Sequence, residues 1–186
     1  MKKLFNVLKS FTDPKSSKIE LGYLFYDANN KKLVATNTKQ LIIVGYDLGV
    51  EQNLFIDVNN KGIGVNPIVV DSQIAYKENS IGNFPKYENV IVKDSKLTEP
   101  TTSKLSFTEC ILNVSSITGE RIVVEYNKNY SKLDLYQENT RIYYNDCNEP
   151  FMVSGLVNYG TLKEKIMLST KIIIMPKDIE WKKILK

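Results

Sequence analysis

Apolar positions in the first eleven residues fall at Leu4, Val7, Leu8 and Phe11, the i, i+3, i+4, i+7 spacing of one helix face. Lys2, Lys3 and Lys9 fall on other faces, and Pro14 with the serine pair that follows ends the pattern. The period then drops from 3.6 to 2. The run "IELGYLFYD" (19–27) alternates and is rich in aromatics, and "ANN" supplies a turn. "KKLVATN" (31–37) and "KQLIIVGYD" (39–47) follow as strands, so the chain opens as a helix and a meander. Alternation fails over 48–67, where Gly62, Gly64 and Pro67 punctuate a polar run. The G-x-G there lacks the third glycine and the helix of a dinucleotide fingerprint. "IVVDSQIAY" (68–76) and "YENVIV" (87–92) read as strands again.

The stretch 93–104, "KDSKLTEPTTSK", is polar, carries Pro100 and has no period, and it reads as a linker. Beyond it, "LSFTECILNV", "ERIVVEY", "TRIYYND", "EPFMVSGLV", "KEKIMLS" and "TKIIIMP" read as strands. A short helix through Tyr130, Leu133 and Tyr136 interrupts them, and "KDIEWKKILK" closes the chain as an amphipathic turn or two. The two halves have similar element orders. That predicts an α+β protein of two domains, 1–94 and 95–177, dominated by antiparallel sheet with few or shortened helices, and a tail over 178–186.

Composition narrows the chemistry. The 186 residues are 42% hydrophobic and 25% charged, an ordinary globular balance. There is no run of about 18 apolar residues, so the sequence gives no helical membrane span. Lys9 and Asn6 interrupt the apolar start, which reads as a first helix rather than a secretory leader, and a cytoplasmic location is expected. Cys110 and Cys147 stand in no metal or redox spacing and read as reduced thiols. Histidine is absent, which removes the usual general base, the usual zinc ligand and every Ser-His or Cys-His dyad. No acidic pair stands at a telling spacing, so no enzyme activity, cofactor or metal is expected. Net charge is +4, and all but Arg121 and Arg141 of the 25 basic residues are lysine. Lysine suits diffuse, sequence-independent attraction to a polyanion better than bidentate recognition.

Four segments carry a resemblance. "LGYLFYDANNKKLVATNTKQLIIV" (21–44) resembles the opening of the second domain of bacterial sliding clamps, the β subunit of DNA polymerase III. There a strand and a short turn lead into a Leu-x-x-Val-Ala-Thr-Asp-Gly-His-Arg-Leu run. "GNFPKYENVI" (82–91) resembles that domain's closing Gly-x-Phe-Pro-Asp-Tyr motif, and "TKIIIMP" (170–176) the clamp's apolar C-terminal strand. Residues 120–155 resemble its third domain, with an Ile-x-Phe-Asn-like strand, a short helix and two further strands.

The resemblance implies a divergent, shortened clamp that encircles duplex DNA without reading its sequence and tethers a polymerase or other partner. In the family, a pocket at the seam of domains two and three grips short peptides of such partners. Carried over, Thr36, Thr38, Lys39, Gln40 and Leu41 would form one wall, and Pro85, Asn89 and Val90 the next. Ile173, Ile174, Met175, Pro176 and Lys177 would form the C-terminal wall. Lys2, Lys3, Lys9, Lys15 and Lys18 would face DNA, and a six-domain ring would need a trimer of this chain. The departures are specific. The family's Asp-Gly-His-Arg is Asn37-Thr38-Lys39-Gln40 here, its pocket arginine is Asn89, and its final Met-Arg-Leu is Lys177-Asp178-Ile179. The alternative is a monomeric adaptor that binds a protein and never encircles DNA.

Overall fold

A computed structural model describes residues 2–58, 83–91, 96–97, 141–144, 150–161 and 163–174. Its framework is one antiparallel sheet. The strands are β1 (Leu24–Asp27), β2 (Lys32–Thr36), β3 (Gln40–Gly45), β4 (Leu54–Ile56), β5 (Lys96–Leu97), β6 (Arg141–Tyr144), β7 (Phe151–Asn158) and β8 (Met167–Ile174). They lie in the order β4-β1-β2-β3-β8-β7-β6-β5. Strands from the first part of the chain therefore form one half of the sheet and later strands the other. The halves join where β3 pairs with β8, from Gln40 opposite Ile174 to Val44 opposite Thr170. The α+β, mostly antiparallel architecture expected from the sequence is the observed one.

Alternation along the strands sends neighbouring side chains to opposite faces. Leu24, Tyr26, Leu33, Ala35, Ile42, Val44, Val153, Val157, Ile172 and Ile174 share one face. Helix α1 (Lys2–Lys9) packs there, with Leu4, Leu8 and Phe11 fully buried at the positions the helical spacing marks. Lys3 Nζ donates to the Asn158 carbonyl at 2.9 Å and ties the helix to the end of β7. Val34, Leu41, Ile43, Met152 and Ile173 line the other face, where Tyr87 joins them. All but the last residue of β3 is buried, as expected of a central strand covered on both sides.

Five local expectations are corrected. Residues Ile19–Gly22 form a 3₁₀ turn rather than the start of a strand. Alternation there is incidental, since Ile19 points to solvent. Tyr87–Val90 is also a 3₁₀ turn: only Tyr87 is buried, and the polar pair Glu88-Asn89 offers no second inward position. The two runs read over 163–176 meet without a break in one strand, β8 (Met167–Ile174), in which Lys171 is simply a polar position, and residues 163–166 precede it outside the strand. β4 was hidden because its three residues are all buried and show no alternation. The linker expected over 93–104 contains β5, which pairs with β6. The strands expected at 68–76, 105–114 and 120–126, the helix near 130–136 and the closing tail lie outside the described residues.

Candidate functional site

The β2–β3 hairpin turns at Asn37–Gln40. Asn37 Oδ1 accepts from the backbone N–H groups of Lys39 (3.1 Å) and Gln40 (3.0 Å). Thr36 Oγ1 donates to the Gln40 carbonyl at 2.8 Å and accepts from the Thr38 N–H at 3.2 Å. Asn37 N–H closes the turn on the Gln40 carbonyl at 3.2 Å. Thr38, the first central residue, has φ 71°, a conformation that favours glycine and strains a β-branched side chain. The side-chain hydrogen bonds hold that strained tip in one geometry.

The segment Asn83–Ile91 is pinned across the face opposite α1 by two anchors, both on β1. The Phe84 ring stacks on Phe25, with centroids 4.8 Å apart and planes 8° from parallel. Tyr87 Oη donates to Asp27 Oδ2 at 2.6 Å. Phe25 and Asp27 are two residues apart, so the pleat aims both at the same face. Between the anchors, Pro85 and Lys86 are held against the end of the sheet. Asp27 also accepts from the Asn30 N–H at 3.1 Å and from its side-chain amide at 2.8 Å. Burial pushes the Asp27 carboxyl up, but the bonds from Tyr87 and Asn30, with Lys32 nearby, outweigh it and leave it below the ordinary carboxylate value. Burial first, then the Asp27 carboxylate, pushes the Tyr87 phenol far above its ordinary value.

A third segment closes the site. The loop after α1 is fixed by Asp13 N–H donating to the Leu21 carbonyl at 2.7 Å, which brings Lys18 and Leu21 beside the hairpin. Together the three segments and β8 enclose a slot of about 200 Å³. Leu21, Leu41, Pro85, Val90 and Ile173 supply its apolar lining. Thr36, Thr38, Gln40 and Tyr87 add polar edges, and Lys18, Lys39 and Lys86 supply its charge.

The structure thus brings together Thr36, Thr38, Lys39, Gln40, Leu41, Pro85, Val90 and Ile173, residues from three distant parts of the chain. Asn89 is exposed on the 3₁₀ turn and does not line the slot. Ile174 does not either: adjacent strand residues take opposite faces, and Ile174 is fully buried in the cluster that packs on α1. Met175, Pro176 and Lys177 lie outside the described residues. Leu21, Lys86 and Tyr87 were missed, although Lys86 and Tyr87 sit inside the Phe-Pro motif that marked this wall. Of the lysines assigned to DNA, Lys9 and Lys15 are exposed, while Lys3 is engaged by Asn158. Lys18 stands at the slot instead, and the Lys2 side chain is outside the description. No group of three or more acidic or cysteine side chains able to hold a metal occurs among the described residues. No helix among them is long and apolar enough to cross a membrane.

No protein-family model and no curated protein matches the chain. Solved structures do. The fold is similar to the Helicobacter pylori beta clamp solved with carprofen, with TM-score 0.59 and 12% identity over 95% of this chain and 64% of that one. It is similar to the DNA polymerase III beta chain of Streptococcus pneumoniae, with TM-score 0.59 and 14% identity over 96% and 62%. A sliding clamp from Pseudomonas aeruginosa bound to griselimycin matches with TM-score 0.56 and 12% identity over 92% and 61%. The chain therefore spans less than two thirds of the length of these structures. The fold is that of bacterial sliding clamps, and the similarity extends over nearly all of this chain.

Proposed function

We propose that this protein is a clamp-like tethering factor, not an enzyme, whose slot grips a short linear segment of a partner such as a DNA polymerase. The observation that carries this reading is the slot itself. A strained hairpin tip, a pinned Phe-Pro-Lys-Tyr segment and β8 converge from distant parts of the chain on one apolar opening. Its volume suits one or two side chains and falls below the roughly 300–1,000 Å³ of small-molecule sites. A buried leucine-sized anchor contributes about 1.5–3 kcal/mol. Micromolar affinity requires about 8 kcal/mol, so the partner segment must also engage the rim. Two modules, 1–94 and 95–177, would meet along the β3–β8 seam, and three chains would complete a six-module ring around duplex DNA. Lys9 and Lys15 would then touch phosphates through long flexible arms, giving attraction without sequence readout.

One observation favours the second reading, a monomeric adaptor that uses the slot without encircling DNA. α1 spans only eight residues, Lys3 on it is tied to Asn158, and Lys18 belongs to the slot. The face assigned to DNA is correspondingly poor in free cations among the described residues. Light scattering combined with retention on circular against linearised plasmid separates the two. A trimer retained on circles and lost on linearisation supports the ring. A monomer that captures a short peptide with an apolar anchor but no circles supports the adaptor, and a chain that captures neither contradicts both.

A further inference from the structure

We infer that the slot selects a partner segment whose apolar anchor is flanked by aspartate and glutamate, and that the lysines of the rim make this selection. The inference rests on reading the slot as a peptide site and adds the chemistry of the occupant. Among the described residues, every charged side chain lining the slot is a lysine: Lys18 from the loop after α1, Lys39 from the hairpin tip and Lys86 from the pinned segment. They come from three separate segments of the chain and share the lining with the apolar residues. Lys18 and Lys86 make no ion pair with a carboxylate among the described residues, unlike Lys31, which pairs with Asp47. Lys171 follows on the same sheet face, opposite Ile43 and Ser154, one pleat beyond Ile173.

Among the described residues, the nearby acids do not pair with Lys18 or Lys86. Asp27 is buried behind the wall and its oxygens are taken by Tyr87 and Asn30. Glu20 and Glu88 sit on the flanking 3₁₀ turns and are not part of the lining. A nucleic-acid backbone is the other polyanion to consider. It would set its phosphates against Leu41, Pro85, Val90 and Ile173, apolar groups that offer them nothing. A peptide that seats an apolar residue and reaches outward with carboxylates satisfies both parts of the surface at once. The lysines are exposed, so each pair is weak on its own and salt screens it.

The test uses the full chain and two fluorescein-labelled peptides that share one Leu-Phe anchor, flanked by Asp and Glu in one and by Ser and Asn in the other. Fluorescence anisotropy reads both affinities. The acidic peptide should bind about tenfold tighter at about 0.05 M salt, as expected for two or three exposed pairs acting together. The advantage should vanish at about 0.5 M salt. In the double variant Lys18→Glu, Lys86→Glu the order of the two peptides should reverse, a readout that a merely loosened slot would not give. Equal binding of the two peptides to the unmodified protein overturns the inference and leaves the slot reading standing. Displacement of the acidic peptide by an equal concentration of duplex DNA overturns it in favour of a phosphate site. Absence of binding by either peptide overturns the slot reading together with the inference.

Discussion

On the face that carries α1, Leu4, Leu8 and Phe11 meet Ile42, Ile172 and Ile174, and all six are fully or nearly fully buried. On the opposite face Leu41 and Ile173 are almost as deep, yet Val90 beside them is 41% exposed and Pro85 is exposed as well. Both faces are built from the same aliphatic residues on the same strands. What differs is the cover. A helix makes a continuous lid through side chains at every turn, whereas the Phe84–Tyr87 segment touches the sheet at two anchors and leaves the space between them open. The closed face holds the fold together. The open one keeps apolar surface available, and exposed apolar surface rimmed by charge is the usual mark of an interaction site.

The largest effect that sharpens this contrast is expected on the closed face. Leu8→Ala removes a fully buried side chain and should lower unfolding free energy by about 3 kcal/mol, within the range for leucine truncation in cores. A denaturant titration reads it, and a loss under about 1 kcal/mol would mean that α1 is not the lid described.

Tyr87→Phe comes next. It keeps the ring in place but strips the buried Asp27 carboxylate of one donor, which should cost about 1–2 kcal/mol. The pH dependence has a definite sign. Asp27 is held below its ordinary value of 3.8, so its contribution is complete above that pH and is lost as pH falls through the lower folded value. Removing the Tyr87 donor raises the folded value toward 3.8, so the variant should unfold at higher pH than the parent in an acid titration followed by circular dichroism. The parent phenol titrates far above 10, so the latch is intact from the acid limb through neutrality. An unchanged acid midpoint would show that the hydrogen bond does not fix this wall.

Thr38→Gly has the smallest expected effect and the opposite sign. Relief of the left-handed strain at φ 71° exceeds the added chain entropy, for a net gain of about 0.5–1 kcal/mol in thermal denaturation. The same change removes a side chain from the slot lining and should weaken peptide capture. A variant both more stable and equally competent would show that the strained tip serves no binding purpose.

Helix α1 and strands β2, β3 and β7 were legible in the sequence because their signal is local. Leu4, Leu8 and Phe11 sit one helical turn apart, and the strands carry long apolar runs. Short elements failed where three or four residues cannot display a period: Leu54–Ile56 has no polar position to alternate with, and Ile19–Gly22 alternates by chance. Much of the slot could be named in advance through the Val-Ala-Thr and Phe-Pro segments. One residue was wrongly included and two others could not be foreseen. Ile174 was placed beside Ile173, although the pleat forbids adjacent residues from sharing a face. Lys18 and Leu21 reach the slot only because a backbone bond from Asp13 to Leu21 folds their loop beside the hairpin, a contact that no periodicity encodes.

The central claim concerns where a partner segment lands, and amide chemical-shift mapping of this 21.3 kDa chain with the acidic Leu-Phe peptide tests it most directly. The account predicts perturbations concentrated at Thr38–Leu41, Lys86–Val90 and Ile173, with α1 and its strand contacts unmoved. Saturable binding whose shifts fall on α1 or on the outer strands, leaving Leu41 and Ile173 unperturbed, would contradict it.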